Sequence, residues 1–230
     1  MARIRSPRPL TAAVMSQMST EINKLLARSV DLEKAIAGLI EASYPDTRKR
    51  VESGRILCCV SVEHAQSLKA LIELGNFTSA VGLLRLQYEA IVRAMWVTYS
   101  ATDEWVEKLS SELTADSAKR ANKVPLLNEM LGHLEGKAPA EALIMLHEFK
   151  EYSWKPLSSF VHGGIHAIHR YGNGYPKPLL EQAIRASNGV SVLAGMLMVI
   201  LSNNPVLKGV IPAIQREYEA CLPPATHGDS

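Results

Sequence analysis

Three charged side chains recur at steps of four along an otherwise apolar segment. Between residues 79 and 99 the only charged residues are Arg85, Glu89 and Arg93. Residues four apart lie above one another on a helix, so the three charges form one stripe, which Trp96 continues a turn later. Buried charges are costly unless they are paired, and Glu89 stands between the two guanidinium groups. One arginine is thereby neutralised, and the remaining positive charge requires a further anion.

Two interpretations of this stripe follow from the chemistry of its members. In the first it is a structural network of ion pairs that fixes the register of the helix. In the second it is an anion site, in which Arg85 and Arg93 present guanidinium forks to a phosphate or a carboxylate. Both interpretations require that the three side chains lie together inside a bundle.

A second polar row follows Pro156. Ser158, His162, His166 and His169 are spaced four, four and three apart, which predicts one face of a single helix. His162, His166 and His169 could ligate a metal, whereas a Ser158–His162 nucleophile pair lacks the usual strand–turn–helix elbow. We favour a third arrangement, in which His162 packs against the arginine stripe and the other two histidines approach the surface. The Gly-Gly pair after His162 permits close approach or ends the helix locally.

Glu63 and His64 form a third polar interruption, within an apolar helix. A histidine in such surroundings is more often a hydrogen-bonded core residue than a catalyst, and we favour that interpretation here.

Helical periodicity dominates the chain, and no segment alternates apolar and polar residues long enough to indicate a sheet. The sequence therefore predicts an all-α fold, an antiparallel helical bundle of four to five long helices with short helical insertions. We expect helices over residues 11–42, 46–74, 77–99, 140–151, 156–170, 178–201 and 205–220, and another that begins with Asp103 as its cap. Residues 114–139 are broken by proline and glycine, and residues 171–176 predict a loop.

Composition limits the class of protein. The 230 residues carry 25 basic and 23 acidic side chains, a balance that does not indicate nucleic acid or a membrane surface. We expect one helical domain over residues 1–222 and a disordered tail over 223–230. The apolar run at 190–201 is shorter than the roughly 20 residues needed to cross a bilayer. Three cysteines without a C-x-x-C pair, and no signal peptide, indicate a cytoplasmic protein.

Several of these residues also resemble motifs of a known family. Glu63-His64, the segment from Ser79-Ala80 through Arg85, Tyr88-Glu89, Arg93 and Trp96, and Ser158 with His162-Gly163-Gly164 look like motifs of an uncharacterised bacterial family of unknown function. The resemblance covers roughly residues 50–185. It implies that Glu63, His64, Ser158, Tyr88 and Trp96 support a polar site formed by Arg85, Glu89, Arg93 and His162.

That family is similar, at a distance, to the helical domains called HEPN, which occur in toxin–antitoxin and phage-defence systems. HEPN domains cut RNA without a metal, using an arginine and a histidine of an R-x(4–6)-H motif on one helix. This sequence has no arginine at that spacing before a histidine, so an equivalent pair must come from two helices, with Arg85 or Arg93 against His162. His162 would then act as general acid or base, the arginines would stabilise the phosphorane, and Glu89 would orient them.

Three hypotheses of function result. The first is a non-catalytic binding or dimerisation module related to phage defence, a homodimer that binds a partner or an anionic ligand. The second is a metal-independent HEPN-like ribonuclease of defence or toxin type, with RNA as its partner. The third is a metal protein ligated by His162, His166 and His169. The first two need no cofactor, and none of the three involves a membrane.

Overall fold

The fold was derived from a computed structural model that describes residues 12–41, 44–121 and 123–224, without the side chains of residues 12–19, 120 and 121. Parts of two sequence predictions lie outside these residues: the first helix at its start (residue 11) and end (residue 42), and the tail from residue 225 onward.

The described residues form ten α-helices and two short 3₁₀ turns, with no strand among them, which confirms the all-α prediction. Five of the helices have 22 to 29 residues and form the body of the bundle. The helices are α1 (Ala12–Ile40), α2 (Lys49–Glu73), α3 (Phe77–Tyr99), α4 (Asp103–Ser110), α5 (Ala115–Ala121), α6 (Leu127–Leu134), α7 (Ala140–Val161), α8 (Ile165–Asn173), α9 (Lys177–Ser202) and α10 (Val210–Glu217), with 3₁₀ turns at Pro205–Leu207 and Glu219–Cys221.

Helix α3 lies between two layers of the bundle. A tight turn at Gly75 joins it to α2, and the two helices run antiparallel, so that the Ser61 hydroxyl donates to the carbonyl oxygen of Gln87 at 3.1 Å. On another side α3 packs against α7, where the Tyr88 hydroxyl donates to the carbonyl oxygen of Leu146 at 2.7 Å. Residues on α3 can therefore meet side chains of α7, as a site formed by the arginines of α3 and His162 requires.

Helix α9 is the central core helix, and it packs against α1, α2 and α3. It is long and apolar enough to cross a membrane by length and composition, but 72% of its most apolar window is buried in the bundle. The close packing depends on Gly195, where an added Cβ would meet Leu39 Cδ1 and Ile211 Cδ1 at 3.3 Å. Burial against protein explains its apolar character, which is consistent with a soluble protein.

A buried polar network crosses the core where α1, α2, α3 and α9 meet. Lys69 Nζ lies 2.6 Å from Glu33 Oε1, with both side chains at most 10% exposed. Gln87, which is fully buried, donates to the carbonyl oxygen of Ser187 at 2.9 Å and accepts from the Ser187 hydroxyl at 2.7 Å. Since an unpaired buried charge or amide is costly, these partners fix how the four helices meet.

Two predicted helix starts were misplaced. Helix α2 begins at Lys49 and not at Asp46, because Asp46 accepts from the backbone and the guanidinium of Arg48 in the turn before the helix. Helix α4 is capped by Thr102, whose hydroxyl accepts from the backbone N–H three residues further on. Asp103 instead occupies the first turn, where its negative charge interacts favourably with the positive end of the helix dipole.

The predicted helix breaks around Pro156 were also wrong. Helix α7 continues through Pro156, and the carbonyl that the proline leaves without a donor belongs to Tyr152, a residue that is 73% exposed. The break comes instead at Gly163, where φ is +63° and the backbone N–H of the next residue, Gly164, donates to the carbonyl oxygen of Ser159 at 2.7 Å. Helix α8 then extends into the segment predicted as a loop.

Candidate functional site

The guanidinium of Arg85 lies at the centre of a polar group that joins α3 to the end of α7. Its Nε donates to Glu89 Oε1 at 2.8 Å, one turn along α3. Its Nη1 lies 3.3 Å from His162 Nε2. Because a guanidinium can only donate, this contact requires that His162 Nε2 carries a lone pair and that the neutral ring holds its proton on Nδ1. The structure therefore brings Arg85, Glu89 and His162 into one hydrogen-bonded group.

Aromatic rings of α3 and α7 form a platform beneath this group. The Cζ of Arg85 lies 4.2 Å from the centre of the Trp154 ring, a cation–π contact. The Trp154 ring meets Tyr88 edge-on at 6.2 Å, and Tyr88 stacks on Phe149 at 4.4 Å. Burial raises the pKa of the Tyr88 phenol, which stays protonated and donates to the carbonyl oxygen of Leu146. The platform fixes the guanidinium from one side.

The polar group is half-buried, which corrects the prediction of a fully buried row. The side chains of Arg85 and Glu89 are 15% and 30% exposed, and His162 is exposed. At this exposure water screens part of the attraction between Arg85 and Glu89, so the pair fixes the helix register less strongly than a buried pair would. The exposure also leaves Arg85 within reach of a solute.

Arg93 lies two turns beyond Arg85, about 12 Å further along the helix axis. It is half-buried, and its Nε is buried without a hydrogen-bond partner. Among the described residues Arg93 forms no ion pair. Glu89 therefore pairs with Arg85 alone and does not bridge the two arginines, whereas the sequence had suggested that it would lie between both. Two guanidinium groups against one carboxylate leave Arg85, Glu89 and Arg93 with one net positive charge.

The Gly-Gly pair shapes the turn that presents His162. His162 is the C-terminal cap of α7, and its backbone N–H donates to the carbonyl oxygen of Ser158 at 3.1 Å. A Cβ at Gly164 would lie 2.6 Å from Ser159 Oγ, which itself accepts from the backbone N–H of His166 at 2.9 Å. These contacts explain the two glycines without any ligand, and they hold the imidazole of His162 toward α3.

The turn separates His162 from the other two histidines. His166 and His169 lie on α8, and both are exposed, so the predicted single face from Ser158 to His169 does not exist. In the described part of the chain, no three histidine, cysteine, aspartate or glutamate side chains converge where they could hold a metal ion. The donor set for the metal hypothesis is therefore not brought together here.

The remaining predicted residues are dispersed around the group. Ser158 donates its hydroxyl to the carbonyl oxygen of Trp154 at 2.8 Å, a bond within α7. Glu63 is exposed and His64 half-buried on α2, and no described hydrogen bond or ion pair links either to the guanidinium of α3. Trp96 is buried at the far end of α3 and meets the ring of another tryptophan, on α4, edge-on at 6.3 Å.

Sequence reasoning missed Trp154, although the pattern contained a signal for it. Trp154, Ser158 and His162 are spaced four apart, so they share one stripe of α7. The expected break at Pro156 hid that relationship. The missed core pair, Lys69 with Glu33, had a weaker signal, a lysine on the apolar face of α2.

Comparison with protein-family models finds a match to a family described as a family of unknown function (DUF6988), over residues 58–224. The chain belongs to this family. The match confirms the expectation of an uncharacterised family, and it covers all four residues of the polar group. Neither the curated proteins nor the solved structures compared contain a significant match. Because the function of DUF6988 is unknown, the function of this chain must be inferred from the geometry of the site.

Proposed function

We propose that the protein is a helical binding module that holds a phosphate or carboxylate group of its ligand between Arg85 and Arg93. The observation that carries this proposal is Arg93, a half-buried guanidinium whose buried Nε has no acceptor. A buried donor to which water has no access costs about 1–3 kcal/mol, and more when it is charged. Because the residue as a whole is only half-buried, a turn of the guanidinium toward solvent would bring Nε to an acceptor of the ligand and remove that cost.

Arg85 contributes preorganisation to the same site. Its Nε is held by Glu89, which lies halfway to Arg93 on α3, and its guanidinium rests on the Trp154 ring, so few rotamers remain to be lost on binding. Its Nη2 has no partner among the described residues, and it is free to donate to an anion. The excess of one positive charge favours a singly or doubly charged ligand over a neutral one.

Isothermal titration calorimetry with inorganic phosphate tests the proposal. We expect saturable binding to the natural chain and about tenfold weaker binding to Arg93→Gln, which keeps a polar side chain but removes the charge. Arg216→Gln is the matched control, because Arg216 is exposed on α10 and carries the same charge. If both variants bound phosphate equally weakly, the loss would come from the change in net charge and not from Arg93, and the proposal would be overturned. Undetectable binding to the natural chain would overturn it as well.

A second candidate function is metal-independent cleavage of RNA, which the contact between Arg85 and His162 favours. In this reaction a 2′-oxygen attacks the adjacent phosphorus, the bond to the 5′-oxygen breaks, and a 2′,3′-cyclic phosphate and a 5′-hydroxyl result. His162 Nε2 would take the 2′-proton and return it to the 5′-oxygen. Since Nε2 now accepts from Arg85, the phosphate must first draw that guanidinium away, and Arg85 would then stabilise the phosphorane.

Incubation of total RNA with the purified protein in EDTA separates the two candidates. Cleavage by the natural chain and by His169→Ala, with loss in His162→Ala, supports the ribonuclease. His169 is a suitable control because it is exposed on α8 and takes no part in the polar group. Equal cleavage by natural and His162→Ala chains, or none by the natural chain, excludes the reaction and leaves the binding module.

We further propose that this module is a cytoplasmic homodimer. An apolar strip beside His162 faces solvent, with Val161 41%, Ile165 76%, Ile168 69% and Tyr171 72% exposed. A second copy of the strip would cover it by twofold symmetry. Light scattering should give the mass of a dimer, and Ile165→Glu should give a monomer with an unchanged helical spectrum; a monomeric natural chain contradicts the dimer.

A further inference from the structure

A cavity of about 240 Å³ opens at the end of α3, away from the Arg85 group. Its walls come from α3, α4, α6 and the segments that join them. The indole rings of Trp96 and Trp105 and the ring of Pro125 line it together with the polar side chains of Ser100, His133 and Lys137. Apolar walls with a few polar groups at one edge are typical of small-molecule sites.

Trp96, one of the lining residues, has an incomplete set of hydrogen bonds. The residue is 1% exposed, yet its Nε1 is buried and has no acceptor in the described part of the chain. An indole N–H is almost always paired when it is buried, because a missing acceptor leaves its desolvation uncompensated. The described residues therefore leave one indole N–H beside the cavity without an acceptor.

Lys137 supplies a cation at the rim. Its Nζ donates to Ser100 Oγ at 3.0 Å, and that hydroxyl donates in turn to the carbonyl oxygen of His133 at 2.6 Å. No described carboxylate pairs with Lys137, and no acidic side chain lines the cavity. The lining thus combines donors and a positive charge with the indole of Trp105, which is half-buried and lies edge-on to Trp96 at 6.3 Å.

We propose that this cavity binds a small planar ring that carries an anionic group, with the ring against Trp96 and Trp105 and the anion beside Lys137. Aromatic rings pack well edge-on or offset against indoles, and a lysine ammonium attracts a carboxylate or a phosphate as a point charge. The site is independent of the anion proposed for Arg85 and Arg93, because it shares no residue with that group.

Nuclear magnetic resonance of the indole N–H signals tests this proposal directly, since the chain has 3 tryptophans and therefore few signals. Benzoate and phenyl phosphate are the probes, and they distinguish a carboxylate from a phosphate as the anionic group. Benzyl alcohol has the ring without the charge, and acetate has the charge without the ring. Trp154, which lies under Arg85 outside this cavity, is the internal reference.

We expect benzoate or phenyl phosphate to shift the Trp96 and Trp105 signals saturably, with the Trp154 signal nearly unchanged. Lys137→Gln should weaken that binding about tenfold, whereas Lys24→Gln, an exposed lysine on α1, should leave it within about twofold. Because both lysines are exposed, neither variant should disturb folding. An unmoved Trp96 signal with both probes, equal shifts with benzyl alcohol, or equal affinity of Lys137→Gln would each overturn the proposal.

Discussion

Arg85 Nη1 and His162 Nε2 lie 3.3 Å apart, across the interface between α3 and the end of α7. The contact joins two segments that are 77 residues apart in sequence. It also assigns a donor and an acceptor, because the guanidinium has no lone pair to offer.

That assignment makes a prediction about the tautomer of His162. In the neutral ring the proton should reside on Nδ1, since Nε2 accepts from Arg85. Long-range ¹⁵N–¹H correlation spectra distinguish the two tautomers, and Arg85→Leu should release the ring to favour Nε2–H. A natural chain with its proton on Nε2 would show that the contact is not a hydrogen bond in solution.

The Gly-Gly turn should be sensitive to single methyl groups. Gly163→Ala places a side chain at φ +63° and should lower the free energy of unfolding by about 1–2 kcal/mol. Gly164→Ala should also destabilise, because its Cβ would lie 2.6 Å from Ser159 Oγ. Gly172→Ala is the control, with no atom within 4 Å of its Cβ, and should be neutral or stabilising. Urea denaturation gives the free energy of unfolding of all three variants. Equal values would contradict the tight backbone geometry of the turn at Gly163 and Gly164.

The buried pair of Lys69 and Glu33 should be costly to break from one side. Lys69→Met leaves the carboxylate of Glu33 unpaired in the core and should cost about 3–5 kcal/mol. Adding Glu33→Leu should recover much of the loss, since no charge is then stranded. The matched control is Lys34→Met, whose ion pair with Asp31 is exposed and should contribute less than about 1 kcal/mol. Equal costs for Lys69→Met and Lys34→Met would mean that water reaches the pair.

Alkaline pH should destabilise the fold through Cys58. Burial raises the pKa of this thiol well above its ordinary value, with a smaller contribution from Cys59. Above about pH 8.5 the unfolded chain loses this proton while the folded state keeps it. The contribution of Cys58 to the free energy of unfolding is therefore complete below that pH and is lost as the pH rises. The free energy of unfolding should fall by up to about 1.4 kcal/mol per pH unit for this group. Cys58→Ala should flatten the fall between about pH 9 and 10.5, above the pKa of the unfolded thiol, and parallel curves for the two chains would contradict the assignment.

The helices could be predicted from the sequence because apolar residues recur at helical spacing, and the stripe of Arg85, Glu89 and Arg93 follows from the same geometry. The pairing across helices could not be predicted in full. Pro156 usually ends a helix, but here a solvent-exposed turn tolerates it, and so the tryptophan two residues earlier was not placed beside His162. The buried lysine of α2 was missed because such a residue is stabilised only by a partner on another helix, which periodicity does not reveal.

A titration with inorganic phosphate, followed by the ¹H–¹⁵N signal of the Arg93 side-chain Nε, tests most directly whether Arg93 binds an anion. We expect a saturable downfield shift for Arg93 and almost none for the exposed Arg216. The shift for Arg85 should be smaller than that for Arg93, because Arg85 Nε is already held by Glu89. An Arg93 signal that does not move, or that moves no further than that of Arg216, would contradict an anion site on this face of α3.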